Sequence, residues 1–417
     1  MNEENNEAEG LLDEISKYLK NLSDVELDLT EDSDKDLQEN AEAGGGGEKL
    51  TLDKLRSLPY GQSGLKDVLG TEAVKALDRR LEKSVVNDLP QGESLARVLT
   101  QLSPKDRTLE YKQNTLRSYF RALEIVKTIY RKFREGQRVS FAFLRTHIES
   151  FITTLVTDKA ILMNLSNLRS SDEEYLYHHV LNRCIVALNI ATASGYSKFQ
   201  VIEIGCAALM ADIGMLMISE DVRFKSGKLA GDERFEIYKH PVVGYYVLDG
   251  LSDVPEAVKL ALYQHHEKLN KTGYPKNRGK KLIHNYSKIT AIADIYVALI
   301  VPRTYRERVK PYKAMEMIIY MANHGELDLF HTKNFVSYMC LFPIGSLVKL
   351  KSGRVGKVIQ SNNNQFDRPV VSVLSDEKGE KLSEDEIYQV DLAKLKIDKV
   401  VEALPDSHNQ YNLMKGF

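Results

Sequence analysis

The stretch VIEIGCAALMADIGMLMI, residues 201–218, decides how the middle of this chain must fold. Only Glu203 and Asp212 interrupt its apolar run, so a helix here is buried nearly all round. Such a helix belongs to a mainly α domain built from packed helices. Asp212 is the exception that needs a reason. An ionised carboxylate in that setting costs several kcal/mol unless it is paired or bound to a cation. No Lys or Arg lies within two helical turns of it along the chain, so its partner comes from elsewhere. A distant basic residue would serve; a metal ion is the sharper expectation.

Working outward, KITAIADIYVALI (288–300) repeats the pattern, with Asp294 among apolar residues and small Ala291 and Ala298 leaving room beside it. Five of the ten histidines lie between 178 and 266. His179 sits in YLYHHVLNRCIVALNIA (175–191), beside a stripe of Leu176, Val180, Cys184, Ala187 and Ala191. His265 and His266 follow VKLALYQ, each four residues after an apolar residue (Ala261, Leu262), and so extend the inward face of that helix. His240 precedes Pro241, which predicts a helix N-terminus with proline in its favoured first position. Imidazoles and carboxylates gathered from several apolar helices suit Mn, Fe or Zn. The plainer alternative is a set of ordinary packed core histidines.

The 417-residue chain divides by composition. Residues 1–47 carry fifteen acidic residues against three lysines and end in four glycines, which reads as a disordered acidic arm and flexible joint, with one weak helix around 11–22. The arm's net charge is −12, so the neutral-looking total of −2 conceals a body of +10. Residues 48–170 read as a helical N-terminal region, with long amphipathic helices in its second half, including TLRSYFRALEIVKTIYRKF and a helix from about Phe141 to Leu155. A helical domain spans 171–340. In 341–403, SLVKLKSGRVGKVIQ and RPVVSVLS alternate apolar and polar residues around Ser352-Gly353 and Lys378-Gly379, which predicts a small antiparallel β module, and 404–417 is a tail. Cys184, Cys206 and Cys340 are scattered, against a disulfide framework or cysteine zinc site, and each reads as a small buried apolar residue. No membrane span and no secretory signal are expected, which predicts a cytoplasmic protein. The basic runs YRKFREGQR and KNRGKK read as solvated faces rather than a surface for nucleic-acid polymers.

With these segments in hand, the chain resembles the HD-GYP family, bacterial metal-dependent phosphodiesterases that hydrolyse cyclic di-GMP. HHEKLNKTGYP (265–275) looks like the family's HHE…GYP signature, and KHPVVGYYVL (239–248) and ADIYVALIVPRTYR (293–306) match other segments in order and spacing. The resemblance covers roughly 110–400 and implies an HD-type helical bundle preceded by long helices and followed by the β module. It implies one or two divalent metals, iron or manganese, a first held by His179, Asp212 and Asp294, and a second by Asp212, His240, His265 and His266. Asp212 is then the metal-bridging catalytic residue. Gly273, Tyr274, Pro275, Arg303 and Arg306 are the implied substrate contacts.

The chain also departs from the family's pattern. The histidine of the HD pair is Ala211, the phosphate-binding lysine three residues after the aspartate is Met215, and the glutamate that serves a third metal is Tyr175. Asn270-Lys271 replaces Asp-Gly before GYP, and Val297 replaces the second aspartate of the late motif. Alanine offers no lone pair, so the first metal site is weakened. The expectation is a protein that binds metal and cyclic di-GMP, or a related cyclic dinucleotide, with hydrolysis impaired or absent, and that meets signalling partners through the GYP region. An active phosphodiesterase using the complete second site is the alternative, and a purely structural interaction module a third. The acidic arm, folded back, would screen the basic pocket.

Overall fold

The computed structural model describes residues 60–404, apart from 84–89, 91–94, 96–108, 138, 158–171, 226, 252, 302–308, 310, 340–341, 343–344, 361, 363–367 and 396. The acidic arm, the helix expected at 11–22, Cys340, Arg303, Arg306 and the tail beyond 404 lie outside the described residues. The helices are α1 (Gly61–Leu69), α2 (Glu72–Lys83), α3 (Leu109–Arg134), α4 (Phe141–Thr157), α5 (Asp172–Ala193), α6 (Lys198–Met210), α7 (Glu220–Arg223), α8 (Gly231–Tyr238), α9 (His240–Asp249), α10 (Glu256–Gln264), α11 (Asn285–Ile300), α12 (Pro311–Asn323) and α13 (Leu329–Met339). All described residues belong to one unit, Leu50–Phe417.

The core forms around α5, α6, α10 and α11. α6 opens with a reciprocal cap between Ser197 and Gln200, which satisfies two otherwise unpaired backbone N–H groups. Every residue from Gln200 to Met210 is buried, with α5, α4, α10 and α11 packed around the helix. Lys198–Met217 is long and apolar enough to cross a membrane, but 83% of its most apolar window is buried within the protein. α5 packs on α6, α11 and α13, and its Cys184, like Cys206 of α6, is free and buried. Leu123, Ile125 and Ile129 turn the inner face of α3 into the same core, as their helical spacing predicts.

The 201–218 run is not one continuous helix. α6 stops at Met210, Ala211 and Asp212 form a break, and Ile213–Met217 make a 3-10 turn with Asp212 at its start. The break accompanies the close approach of α9. A Cβ on Gly214 would stand 2.0 Å from the His240 carbonyl oxygen and 2.8 Å from the Gly244 nitrogen. Glycine lets the turn press against the first turn of α9, which brings His240 and Asp212 together.

C-terminal to the bundle, five antiparallel strands form a sheet of order β4-β3-β2-β1-β5, with β1 Leu347–Leu350, β2 Val355–Gln360, β3 Val370–Val373, β4 Tyr388–Asp391 and β5 Val400–Ala403. Val348, Leu350, Val358, Val371, Val373 and Leu392 give the sheet its own small core. The β1–β2 and β3–β4 connections contain Ser352-Gly353 and Lys378-Gly379, as the alternation predicts.

Candidate metal centre

Four elements converge on Asp212. The break after α6 supplies Asp212, the first residue of α9 supplies His240, the C-terminus of α10 supplies His265 and His266, and α5 and α11 supply His179 and Asp294. Two groups of potential ligand atoms result, Asp212 with His240, His265 and His266, and His179 with Asp212 and Asp294. They share Asp212, and within each the atoms lie within 4.8 Å of one another.

The two groups differ in chemistry. His240 Nδ1 donates to the Ile237 carbonyl (2.7 Å) and His265 Nδ1 to the Leu262 carbonyl (2.6 Å). A carbonyl only accepts, so each Nδ1 carries a proton and Nε2 is the ring atom left to meet a ligand. Those two Nε2 atoms face each other at 3.2 Å, and Asp212 Oδ1 lies 3.2 Å from the first and 3.8 Å from the second. Two imidazole nitrogens and a carboxylate oxygen turned on one another make a cradle suited to a cation. Burial pushes the His265 imidazole below its ordinary range, and burial with the neighbouring His265 pushes His266 well below it. Both stay neutral where a metal needs them neutral. The donor set fits a divalent ion acting as a Lewis acid.

The other group already holds a cation. Arg183, on α5 one turn after His179, has 0% of its surface exposed. Its Nη1 donates to Asp212 Oδ2 (2.7 Å) and to Asp294 Oδ1 (2.8 Å), and its Nε donates to the Ala208 carbonyl (2.9 Å). Burial alone would raise the Asp212 carboxyl, but Arg183, His240 and His265 outweigh it and hold it well below the usual carboxylate range. For Asp294, burial is likewise outweighed, by His179 and Arg183. His179 Nε2 lies 2.9 Å from Asp294 Oδ1, the arrangement of a donor to a carboxylate rather than of a free lone pair, and its Nδ1 has no partner among the described residues. A metal on these oxygens would share them with a guanidinium. Unit charges 4 Å apart interact by roughly 4 kcal/mol at an effective dielectric near 20, and a dication doubles the repulsion. This second donor set does not fit a metal while Arg183 stands there.

Arg183 is the residue that sequence reasoning missed. It stands inside the quoted 175–191 stretch, four residues after His179, and an arginine on so apolar a helix signals a buried anionic partner. The distant basic residue allowed for Asp212 is Arg183, which meets Oδ2 of that carboxylate.

The GYP loop closes over the histidines. Tyr274 N donates to the His266 carbonyl (3.1 Å), and the Tyr274 ring stacks on His266 (4.6 Å between centroids) and on Tyr238 (4.1 Å). A Cβ on Gly273 would stand 2.4 Å from the His266 carbonyl oxygen and the Lys268 nitrogen, so only glycine lies flat on the backbone there. Glu267, also unassigned by the sequence reading, accepts from the backbone N–H groups of Lys276 and Arg278 (2.8 Å each) and ties the loop to the histidine pair. Lys276 Nζ lies 3.1 Å from Asp78 of α2, and Arg278 bonds the same carboxylate. Two of the four basic side chains of KNRGKK are therefore engaged in ion pairs with Asp78.

Around the centre, Tyr175 stacks on His179 (5.6 Å), and Met215 lies half-buried in the 3-10 turn. Of the histidines expected to have only local roles, His147 and His324 meet the carbonyls of Phe143 and Tyr320, His284 caps α11, and His331 pairs with Asp328 (2.9 Å). His408 lies outside the described residues.

Comparison with known proteins matches residues 163–329 to an HD domain and residues 347–409 to a KOW domain associated with HD domains. A cyclic di-GMP phosphodiesterase of Pseudomonas aeruginosa is 28% identical over 75% of this chain and 74% of its own length. A 3'3'-cGAMP-specific phosphodiesterase of Vibrio cholerae is 28% identical over 40% of this chain and 39% of its own length. The solved structure of an HDG"Y"P protein from Bdellovibrio bacteriovorus aligns with a TM-score of 0.46 and 16% identity, covering 57% of this chain and 75% of that one.

Proposed function

Because the chain is a member of the HD-GYP family, we propose that it binds a divalent metal and a cyclic dinucleotide, with phosphodiester hydrolysis impaired or absent. The observation that carries this reading is the pair of imidazole nitrogens, His240 Nε2 and His265 Nε2, converging beside Asp212 Oδ1. His266 completes the set, and iron or manganese suits it. A bound ion there supplies Lewis-acid contact to a phosphate oxygen.

Hydrolysis needs more than one such contact. Ala211 gives no ligand, Met215 gives no charge to the phosphate, and the Asp294 carboxylate is engaged by His179 and Arg183. Losing one electrostatic donor to the reacting group costs about 2.7–4 kcal/mol in enzymes where this is measured. The ligand is cyclic di-GMP or a related cyclic dinucleotide, consistent with the activities in the names of the relatives. Tyr274 at the GYP loop offers a ring edge to a base, Gly273 and Pro275 shape that rim, and Arg303 and Arg306 contribute phosphate contacts. The same rim is a surface for signalling partners, and the cytoplasm is where such a ligand is met. We assign the binding domain to 171–340, between a helical region at 48–170 and the β module at 341–403.

Isothermal titration of the Mn-loaded protein with cyclic di-GMP and with 3'3'-cGAMP tests this reading. Saturable binding to either, lost in His265→Ala, supports it; no binding to either contradicts it. The complete Asp212, His240, His265 and His266 set favours one further reading, an active phosphodiesterase working from that site alone.

A further inference from the structure

The position between Asp212 and Asp294 is where a second ion would be expected, and this chain fills it with its own side chain. Resting on the reading of the His240 set as a metal site, we propose that Arg183 is the resident cation of that position, so that the centre holds one divalent ion rather than two.

The socket engages Nε and Nη1 of Arg183, while Nη2 is buried without a partner among the described residues. α6 ends at Met210, which leaves its last carbonyls without helical partners. The Tyr130 hydroxyl donates to the Leu209 carbonyl (2.8 Å) and Arg183 Nε to the Ala208 carbonyl (2.9 Å). Arg183 Nη1 then spans Asp212 Oδ2 and Asp294 Oδ1. The guanidinium is thus held by the residue three before Ala211 and the residue immediately after it. Ala211 itself is fully buried, and its methyl group offers nothing to a metal. The exchange is internally consistent: the imidazole that would help hold an ion is absent, and a fixed cation neutralises the same carboxylates. Unlike a metal, a guanidinium keeps its charge across the physiological range, cannot be removed by a chelator and cannot activate a water.

Metal analysis and electron paramagnetic resonance of the full chain loaded with Mn(II) test the proposal. One Mn per chain is expected, with the six-line spectrum of an isolated ion, lost in His265→Ala. Two ions per chain with an exchange-coupled spectrum would overturn the proposal while leaving the metal-binding reading intact. A single ion that survives His265→Ala but is lost in His179→Ala would also overturn it, because that ion would lie in the Arg183 position. No Mn at all would remove the metal-binding reading and this proposal with it. The exchange variant Arg183→Val/Ala211→His is expected to bind two ions per chain, and one ion in a folded exchange variant counts against the proposal. Should that variant not fold, the spectrum of the unmodified chain still decides.

Discussion

A buried guanidinium shared by two buried carboxylates has consequences on deletion. Removing one partner of a buried ion pair typically costs about 3–5 kcal/mol, because the remaining charge is left without compensation. Arg183→Met is therefore expected to lower the melting temperature markedly in the presence of a chelator. Mn should then raise it more in the variant than in the parent, since His179, Asp212 and Asp294 become free to take an ion; an unchanged melting temperature in chelator would contradict this. Proton competition at the histidines has a definite sign as well. His265 and His266 are held below the ordinary histidine pKa of about 6.5, so their neutral, ligand-ready forms persist below it. Their contribution to stability is full above the unfolded pKa and is lost as pH falls towards the folded values. Mn affinity should stay level from about pH 8 to about 6.5 and decline only below that. Titrations across that range check it, and a decline already complete at neutral pH would contradict it. Asp212 was legible as a residue in need of a cation from 201–218 alone, because burial and cost follow from composition. The nature of the cation was not, because Arg183 lies 29 residues away from Asp212 and 111 from Asp294 along the chain.

At the scale of elements, the helices and the β module were readable because their periods of 3.6 and 2 are local properties of sequence. The end of α6 was not. The break at Ala211–Asp212 accompanies the packing of Gly214 onto α9, a contact that neither segment announces by itself. A methyl group at Gly214 would force the 3-10 turn away from His240. Gly214→Ala is expected to cost about 1–3 kcal/mol by overpacking and to weaken Mn binding with it. Calorimetry alongside Mn titration checks both, and intact Mn affinity in the variant would show that the turn does not position the ligands.

At the scale of the molecule, the N-terminal helices reach the site. Asp78 of α2 holds Lys276 and Arg278 in the loop after GYP, Gly61 N at the start of α1 donates to Glu236 of α8, and Thr71 meets Tyr246 of α9. A change in the N-terminal region is thereby linked to the loop that covers His266. Asp78→Ala should speed amide exchange across residues 268–278 without changing exchange in α6, and equal rates in both proteins would deny the link. The proposed centre would hold metal and nucleotide without turning the nucleotide over well. Its most direct test is incubation of the Mn- or Fe-loaded full chain with cyclic di-GMP, with the linear product quantified over time. Turnover below about one per minute is predicted, far under the common enzymatic range of about 1–1000 per second. Faster turnover that disappears in Asp212→Ala would contradict it.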